Sequence, residues 1–394
     1  MPLSIHFYNL AEVSASLRYR ITSGDVYETL FWCNELIQSG CASDAISILF
    51  DAWIWQKGPF AISWLLSAYD TLSVDEVTEE SILQSCYQLR RAGSIDHSVW
   101  RILQMAAHQS IPDCILPFDH TVPSNDKTEC HFIAALYQHR AYTAWCASTL
   151  LSSDRVWELL EWYGSIISSD VRDAYQRYIR ALQEYDKLLG YRSEAYNIIT
   201  RCTAVLTACL SVKQMTQSIK SAVNDSSMSD HISRWPFGCM GARLYSIPAA
   251  GLYGTRNISN MDELYVIEPH LIGSPYWEDA LIGHAHIVDG EINWISDTLK
   301  ERFYCRYFPD DIPDEWTAVE KCKSHGPGVT AAPFHVYVRK YVSRTARLCF
   351  MDAIPVSDTL SCRSLEEFVE MHLVGINPWY VIRPHVRRRL LLAC

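Results

Sequence analysis

The chain has 394 residues, 49% of them hydrophobic and 20% charged, with 13 Trp and 22 Tyr. That apolar content is enough to bury a sizeable core and excludes an intrinsically disordered chain. The formal charge of −11 argues against non-specific coating of DNA, and only 16 Gly and 16 Pro disfavour a many-turned all-β sandwich.

The opening MPLSIHFYNL lacks the basic region and long apolar run of a secretory signal, and the 14 Cys include no CxxC pair. No run of about 18 uncharged apolar residues is present. The expectation is reduced thiols in a cytoplasmic or nuclear compartment and no membrane span.

Taken in chain order, Asp25 is placed to cap a helix in which Tyr27, Leu30, Phe31, Asn34 and Ile37 recur near helical spacing, with Ser39-Gly40 as its stop. Ser43 or Asp44 starts a partner helix through Ile46, Leu49, Phe50, Trp53 and Ile54, ending at Lys57-Gly58-Pro59. Further helices are predicted over about 60–71, 78–92 and 96–109, with Ser, Thr or Asp near most starts. Pro112, Pro117 and Pro123 then break the pattern, so 111–125 reads as a loop and a subdomain edge.

Helical patterning resumes from Lys127 to about Met215 and includes Asp170–Leu189 and Ser193–Val212. Trp145, Trp157, Trp162, Tyr163, Tyr175, Tyr178 and Tyr185 fall in this stretch and read as core, because a base-stacking platform needs basic residues interleaved among exposed aromatics. The Ser- and Asp-rich segment 218–231 reads as a linker. Beyond it Gly238, Gly241, Gly251 and Gly254 separate short apolar runs. The predicted fold class is mainly α: a multi-helix body of helical hairpins over 1–217, followed by a mixed α+β or irregular domain over 232–394. Stacked hairpins suit a solenoid, but no fixed period is found, so a compact helical body stands beside it.

Three stretches carry candidate chemistry. In Gly283–Glu291, an Asp289-Gly290 type I′ turn would make a hairpin with His284, His286 and Glu291 on one face, a metal-triad pattern. The competing reading caps a helix with Ser274, puts Pro275 at its first position and runs it through Trp277, Leu281 and Ile282 to about 287, which sends the two His to different faces. The helix has the better caps, so no metal is assigned.

The second stretch, Arg302–Gly328, joins aromatics to Asp310, Asp311, Asp314 and Glu315, with Trp316 between these acids and Lys321, Lys323 and His325. Paired acids followed by a lysine are the ingredients of metal-dependent nuclease chemistry, but the spacing of Glu320 and Lys323 is wrong for it. The segment reads instead as an ordered surface loop that docks on a partner or on the helical body, with Asp310, Asp311, Asp314, Glu315 and Trp316 as the partner-binding candidates.

The third is the tail. Residues 334–394 hold 9 basic and 5 acidic side chains, against 8 and 16 in 221–333. Arg383, His385, Arg387, Arg388 and Arg389 precede Leu390-Leu391-Leu392, a pattern for a docking helix, a weak nucleic-acid contact or a membrane-surface anchor, against the plainer reading of a basic tail that folds back on the acidic middle segment. There is no GxxxxGK[ST], GxGxxG opening a helix, GxSxG or HExxH, so no catalytic residue and no cofactor is assigned.

The run SLRYRITSGDVYETLFWCNELIQSGCASDAISILFDAWIWQKG at 16–58 resembles the helical region that follows the ATPase core in AAA+ clamp-loader relatives, with Gly24, Asp25, Leu30 and Phe31 at the matching step into a helix. The ATPase core itself is absent. YFPDDIPDEW and KSHG are similar in idiom to uncharacterised proteins of large eukaryotic DNA viruses. Together these imply a replication- or assembly-associated role, at a virion or viral replication site. The function expected is a non-enzymatic protein-interaction scaffold. The alternatives are a metal-dependent enzyme of nucleic-acid metabolism using 302–325, and a nucleic-acid-binding module using the basic tail.

Overall fold

The computed structural model describes residues 2–8, 10–23, 26–72, 77–92, 98–99, 102, 125–190, 194–220, 255–256, 267–308, 330–332 and 380–382. The chain is mainly helical. α1 (Leu10–Ser23), α2 (Val26–Gln38), α3 (Ala42–Gln56), α4 (Ile62–Leu72) and α5 (Glu79–Arg91) make the first part of the body, with a 3-10 turn at Gly58–Phe60 before α4. The second part comprises α6 (Lys127–Tyr137), α7 (Ala141–Ser148), α8 (Ser153–Ile166), α9 (Ser169–Gly190), α10 (Glu194–Ala208) and α11 (Val212–Lys220).

Local chemistry starts these helices where the residues allow it. Thr78 accepts from the Ser81 amide, Asp126 from the Thr128 and Glu129 amides, and Ser152 from the Arg155 amide, each satisfying a donor that a helix start leaves open. Two boundaries differ from the sequence reading. The helix expected over Ser193–Val212 ends at Ala208, the chain turns through Cys209–Ser211, and α11 runs to Lys220, past the expected domain edge at 217. Its Ser218 is buried between the Pro59 carbonyl, to which it donates, and the Ile62 amide, from which it accepts. That tertiary contact draws 218–220, the first residues of the expected linker, into the helix. The proposed cap Asp25 and the loop 111–124 lie outside the described residues.

One large apolar cluster fills the body. Trp53 stacks on Trp64 at 6.2 Å and 23°, and their indole N–H groups donate to the Ala61 and Ser85 carbonyls. Tyr175 donates to the Leu160 carbonyl at 3.1 Å, and the Tyr178 hydroxyl accepts from Thr207. Trp145, Trp157, Tyr163, Tyr175 and Tyr178 are all buried, so they form core and not a base-stacking platform. Arg20 of α1 and Glu28 of α2 form a buried ion pair at 2.6 Å, and the Trp32 indole N–H also donates to Glu28.

A second, smaller cluster lies in 267–308. It is assembled from a 3-10 turn at Glu268–Leu271, α12 (Pro275–Leu281), the antiparallel pair β3 (Ala285–Val288) and β4 (Glu291–Trp294), and α13 (Asp297–Tyr307). Two further short ladders are present: β1 (Pro2–Leu3) parallel to β2 (Thr255–Arg256), and β5 (Thr330–Ala332) antiparallel to β6 (Tyr380–Ile382).

The N-terminal segment 2–8 joins the two clusters. Leu3 and Phe7 are buried in the small cluster, where Phe7 meets Trp277 at 6.1 Å and Phe308 at 5.1 Å, while Tyr8 points into the large one against Phe31 and Trp32.

The contact between α8 and α9 gives a test of core packing. A Cβ added at Gly164 would stand 2.9 Å from Cε1 and 3.0 Å from Cδ1 of Tyr175, a fully buried ring whose hydroxyl is tied to the backbone. Helix propensity alone would favour Ala at this position, but overpacking a closed core costs more. Gly164→Ala is expected to lower unfolding stability by about 1–3 kcal/mol in chemical denaturation; a variant as stable as the parent would show that the Tyr175 ring can move aside.

Candidate interaction surface

The 267–308 module holds the described part of the sequence-predicted site region. Ser274 and Pro275 do open a helix, but the Ser274 hydroxyl does not cap it. It pairs with the Tyr8 hydroxyl at 2.7 Å instead, and the Glu278 carboxylate accepts the Gly273 amide. The helix ends at Leu281, where the sequence reading carried it to about 287. Gly283 takes φ +82°, and the chain reverses into a hairpin whose Asp289 and Gly290 have φ +52° and +78°, the left-handed pair a type I′ turn requires. Both readings of this stretch are therefore partly right, each for a different half.

The hairpin does not build the metal triad. The His284 ring packs against Phe303 with centroids 5.7 Å apart, its Nδ1 buried without a hydrogen-bond partner, whereas His286 and Glu291 are exposed. Among the described residues no group of three His, Cys, Asp or Glu side chains is placed to hold a metal ion.

The register sets two unlike faces. Ala285 opposite Trp294 and Ile287 opposite Ile292 share one face; Ala285 is buried, and Ile292 and Trp294 pack on the small cluster. His286 opposite Asn293 and Val288 opposite Glu291 form the other, solvated face. Seven large hydrophobic side chains are exposed among the described residues, and four of them fall within 282–295: Ile282 (71%), Val288 (50%), Ile295 (49%) and Ile287 (39%). These four are close in sequence, but Ile287 and Val288 project from opposite faces of the hairpin, and Ile282 and Ile295 flank its strands.

Beneath the hairpin, Glu268 organises the polar edge of the cluster. One of its oxygens, Oε1, accepts from the Trp294 indole at 2.9 Å, the Tyr304 hydroxyl at 3.2 Å and the Lys300 ammonium at 2.8 Å. That ammonium also lies over the Trp294 and Tyr304 rings, at 5.6 and 5.9 Å from their centroids. Burial pushes the Glu268 carboxyl up, but the donors and the Lys300 charge outweigh it and hold the group below its ordinary 4.5. Burial, followed by the charge of Glu268, pushes the Tyr304 phenol up.

Phe303, Tyr304, Tyr307 and Phe308, the aromatic start of the 302–328 segment, pack into this cluster or on its edge. The predicted partner-binding residues Asp310, Asp311, Asp314, Glu315 and Trp316 lie outside the described residues, as do Arg383, Arg387, Arg388 and Arg389 of the tail. Sequence reasoning missed Glu268 and the exposed aliphatics of the hairpin; Ile282, Ile287, Val288 and Ile295 on either side of an Asp-Gly turn were the available signal. Comparison of the chain with protein-family models, curated proteins and solved structures gives no match.

Because the folded Glu268 carboxyl is depressed, its contribution is present above about pH 4.5 and is lost as pH falls through the lower folded value. The Trp294 indole N–H resonance is expected to move as acid is added below about pH 4.5, and to lose that titration in Glu268→Gln. An unchanged titration in the variant would assign the response to another group.

Proposed function

We propose that the protein is a non-enzymatic interaction scaffold, a helical body that carries a small module and presents its hairpin to a protein partner. The observation that supports this reading is the concentration of exposed aliphatic side chains at 282–295. Such side chains gain about 25 cal/mol for each Å² removed from water, which favours covering them with a partner. The resemblance of 16–58 to the helical region of clamp-loader relatives, and of the 307–316 idiom to large-DNA-virus proteins, supports a replication- or assembly-associated setting.

The test is affinity purification from the native source with cross-link mapping. The wild-type chain is expected to hold a stoichiometric protein cross-linked within 282–295. The triple variant Ile282→Asp, Val288→Asp, Ile295→Asp is expected to lose it with little change in melting temperature, because each of these side chains is about half exposed or more. Retention of every partner by that variant would remove the hairpin from the contact, and Asp310→Ala, Asp311→Ala, Glu315→Ala then asks the same of the adjoining acidic segment.

A further inference from the structure

Both ring nitrogens of His6 face acceptors. Nδ1 lies 2.5 Å from Glu35 Oε2 on α2, and Nε2 lies 3.1 Å from the Ile272 carbonyl in the small module. A neutral imidazole has one N–H, so either tautomer would set a nitrogen lone pair against an oxygen. The His6 side chain is 12% exposed and that of Glu35 not at all, so water offers little relief. With Glu35 ionised, the doubly protonated ring is the form that satisfies both partners.

We infer that His6 is held as an imidazolium bridging α2 to the Ile272 turn, and that losing its proton loosens the 267–308 module from the helical body, a pH-sensitive latch built into the N-terminal segment. The surroundings agree. The charged groups acting on the ring are acidic: Glu35 on α2 and Glu278 on α12, whose Oε1 also accepts the Gly273 amide. The neighbouring Tyr8 hydroxyl, pushed up chiefly by burial, stays neutral near physiological pH, and Tyr276 and Glu278 add to that shift. His270 packs on the adjacent Phe7. Burial by itself pulls the His6 pKa down, but the Glu35 charge and hydrogen bond, the Ile272 carbonyl and the Glu278 charge outweigh it, leaving the value above the ordinary 6.5.

The sign follows. A raised folded-state value means that the latch contributes fully below about pH 6.5 and is lost as pH rises through the latched value. Within that window each pH unit multiplies the unlatched population by up to about tenfold.

Two measurements on the full chain test this. In ring-nitrogen NMR of the wild type, the His6 signal, assigned by its loss in His6→Gln, is expected to show a doubly protonated ring at pH 6.5 and a midpoint above that value. A neutral tautomer there, or a midpoint below it, overturns the inference without dependence on how any variant folds. In hydrogen exchange corrected for intrinsic rate, protection of 271–282 is expected to fall several-fold between pH 6 and pH 9 in the wild type, and to be low and nearly pH-independent in His6→Gln. Protection unchanged across that range, or falling equally in both proteins, overturns it as well.

Discussion

The arrangement of the described structure depends on how residues 2–8 are held between two apolar clusters. The Ser4, Phe7 and Tyr8 amides are paired within the segment, and two others go to side chains at and just past the end of α2: the Ile5 amide donates to Ser39 Oγ at 2.9 Å and the His6 amide to Glu35 Oε1 at 3.2 Å. On the other side the Trp277 indole donates to the His6 carbonyl at 2.9 Å. An unpaired buried amide would cost about 1–3 kcal/mol, so these contacts fix the path of the segment. Burying Leu3 and Phe7 adds roughly 1.5–3 kcal/mol each. By contrast, a buried ion pair such as His6–Glu35 contributes little net stability while it is intact, and removing one partner is costly. Apolar burial supplies the attraction, and the polar contacts set the position.

The two clusters differ in what they can do alone. The helical body buries several aromatic side chains whose N–H and O–H groups find backbone carbonyls within the same body, as Trp53, Trp64 and Tyr175 do. The 267–308 module is too short to bury much surface by itself. Its core is a ring of aromatics in which Trp277 stacks on Phe308 at 5.2 Å and Phe303 meets Tyr307 at 4.8 Å, completed by Leu3 and Phe7 from the far end of the sequence. The hairpin that exposes Ile282, Val288 and Ile295 therefore rests on a platform whose attachment is decided near residue 6. The position of the hairpin is thus tied to the N-terminal segment, more than 260 positions away in the chain, as the pairing of His6 with Ile272 shows.

Local chemistry made much of the fold legible. The apolar spacing of Leu30, Phe31 and Ile37, the stop at Ser39-Gly40 and Thr78 at a helix start are properties of neighbouring residues, and the helices at 26–38 and 79–91 follow them closely; the helix at 42–56 instead starts after Cys41 with no side-chain cap, so the expected starters Ser43 and Asp44 lie inside its first turn. The Asp289-Gly290 turn was equally local, because Gly and Asp tolerate the left-handed conformation that a tight hairpin needs. What the spacing could not decide was where α12 gives way to β3, since apolar positions at 277, 281 and 282 fit a helix that continues as well as one that stops.

The sequence by itself determined the mainly helical class, the aromatic core of the body and the position of most helix starts, because those depend on spacing and capping within a few residues. Tertiary structure alone decided that Ser274 would bond Tyr8 instead of capping its own helix, that His284 would turn to Phe303 and away from a metal triad, and that Glu268 would gather Trp294, Tyr304 and Lys300. It also decided that His6 would meet an acceptor at each nitrogen. In each case the partner is remote or the choice lies between competing local bonds, and only the folded chain's geometry shows which bond is made.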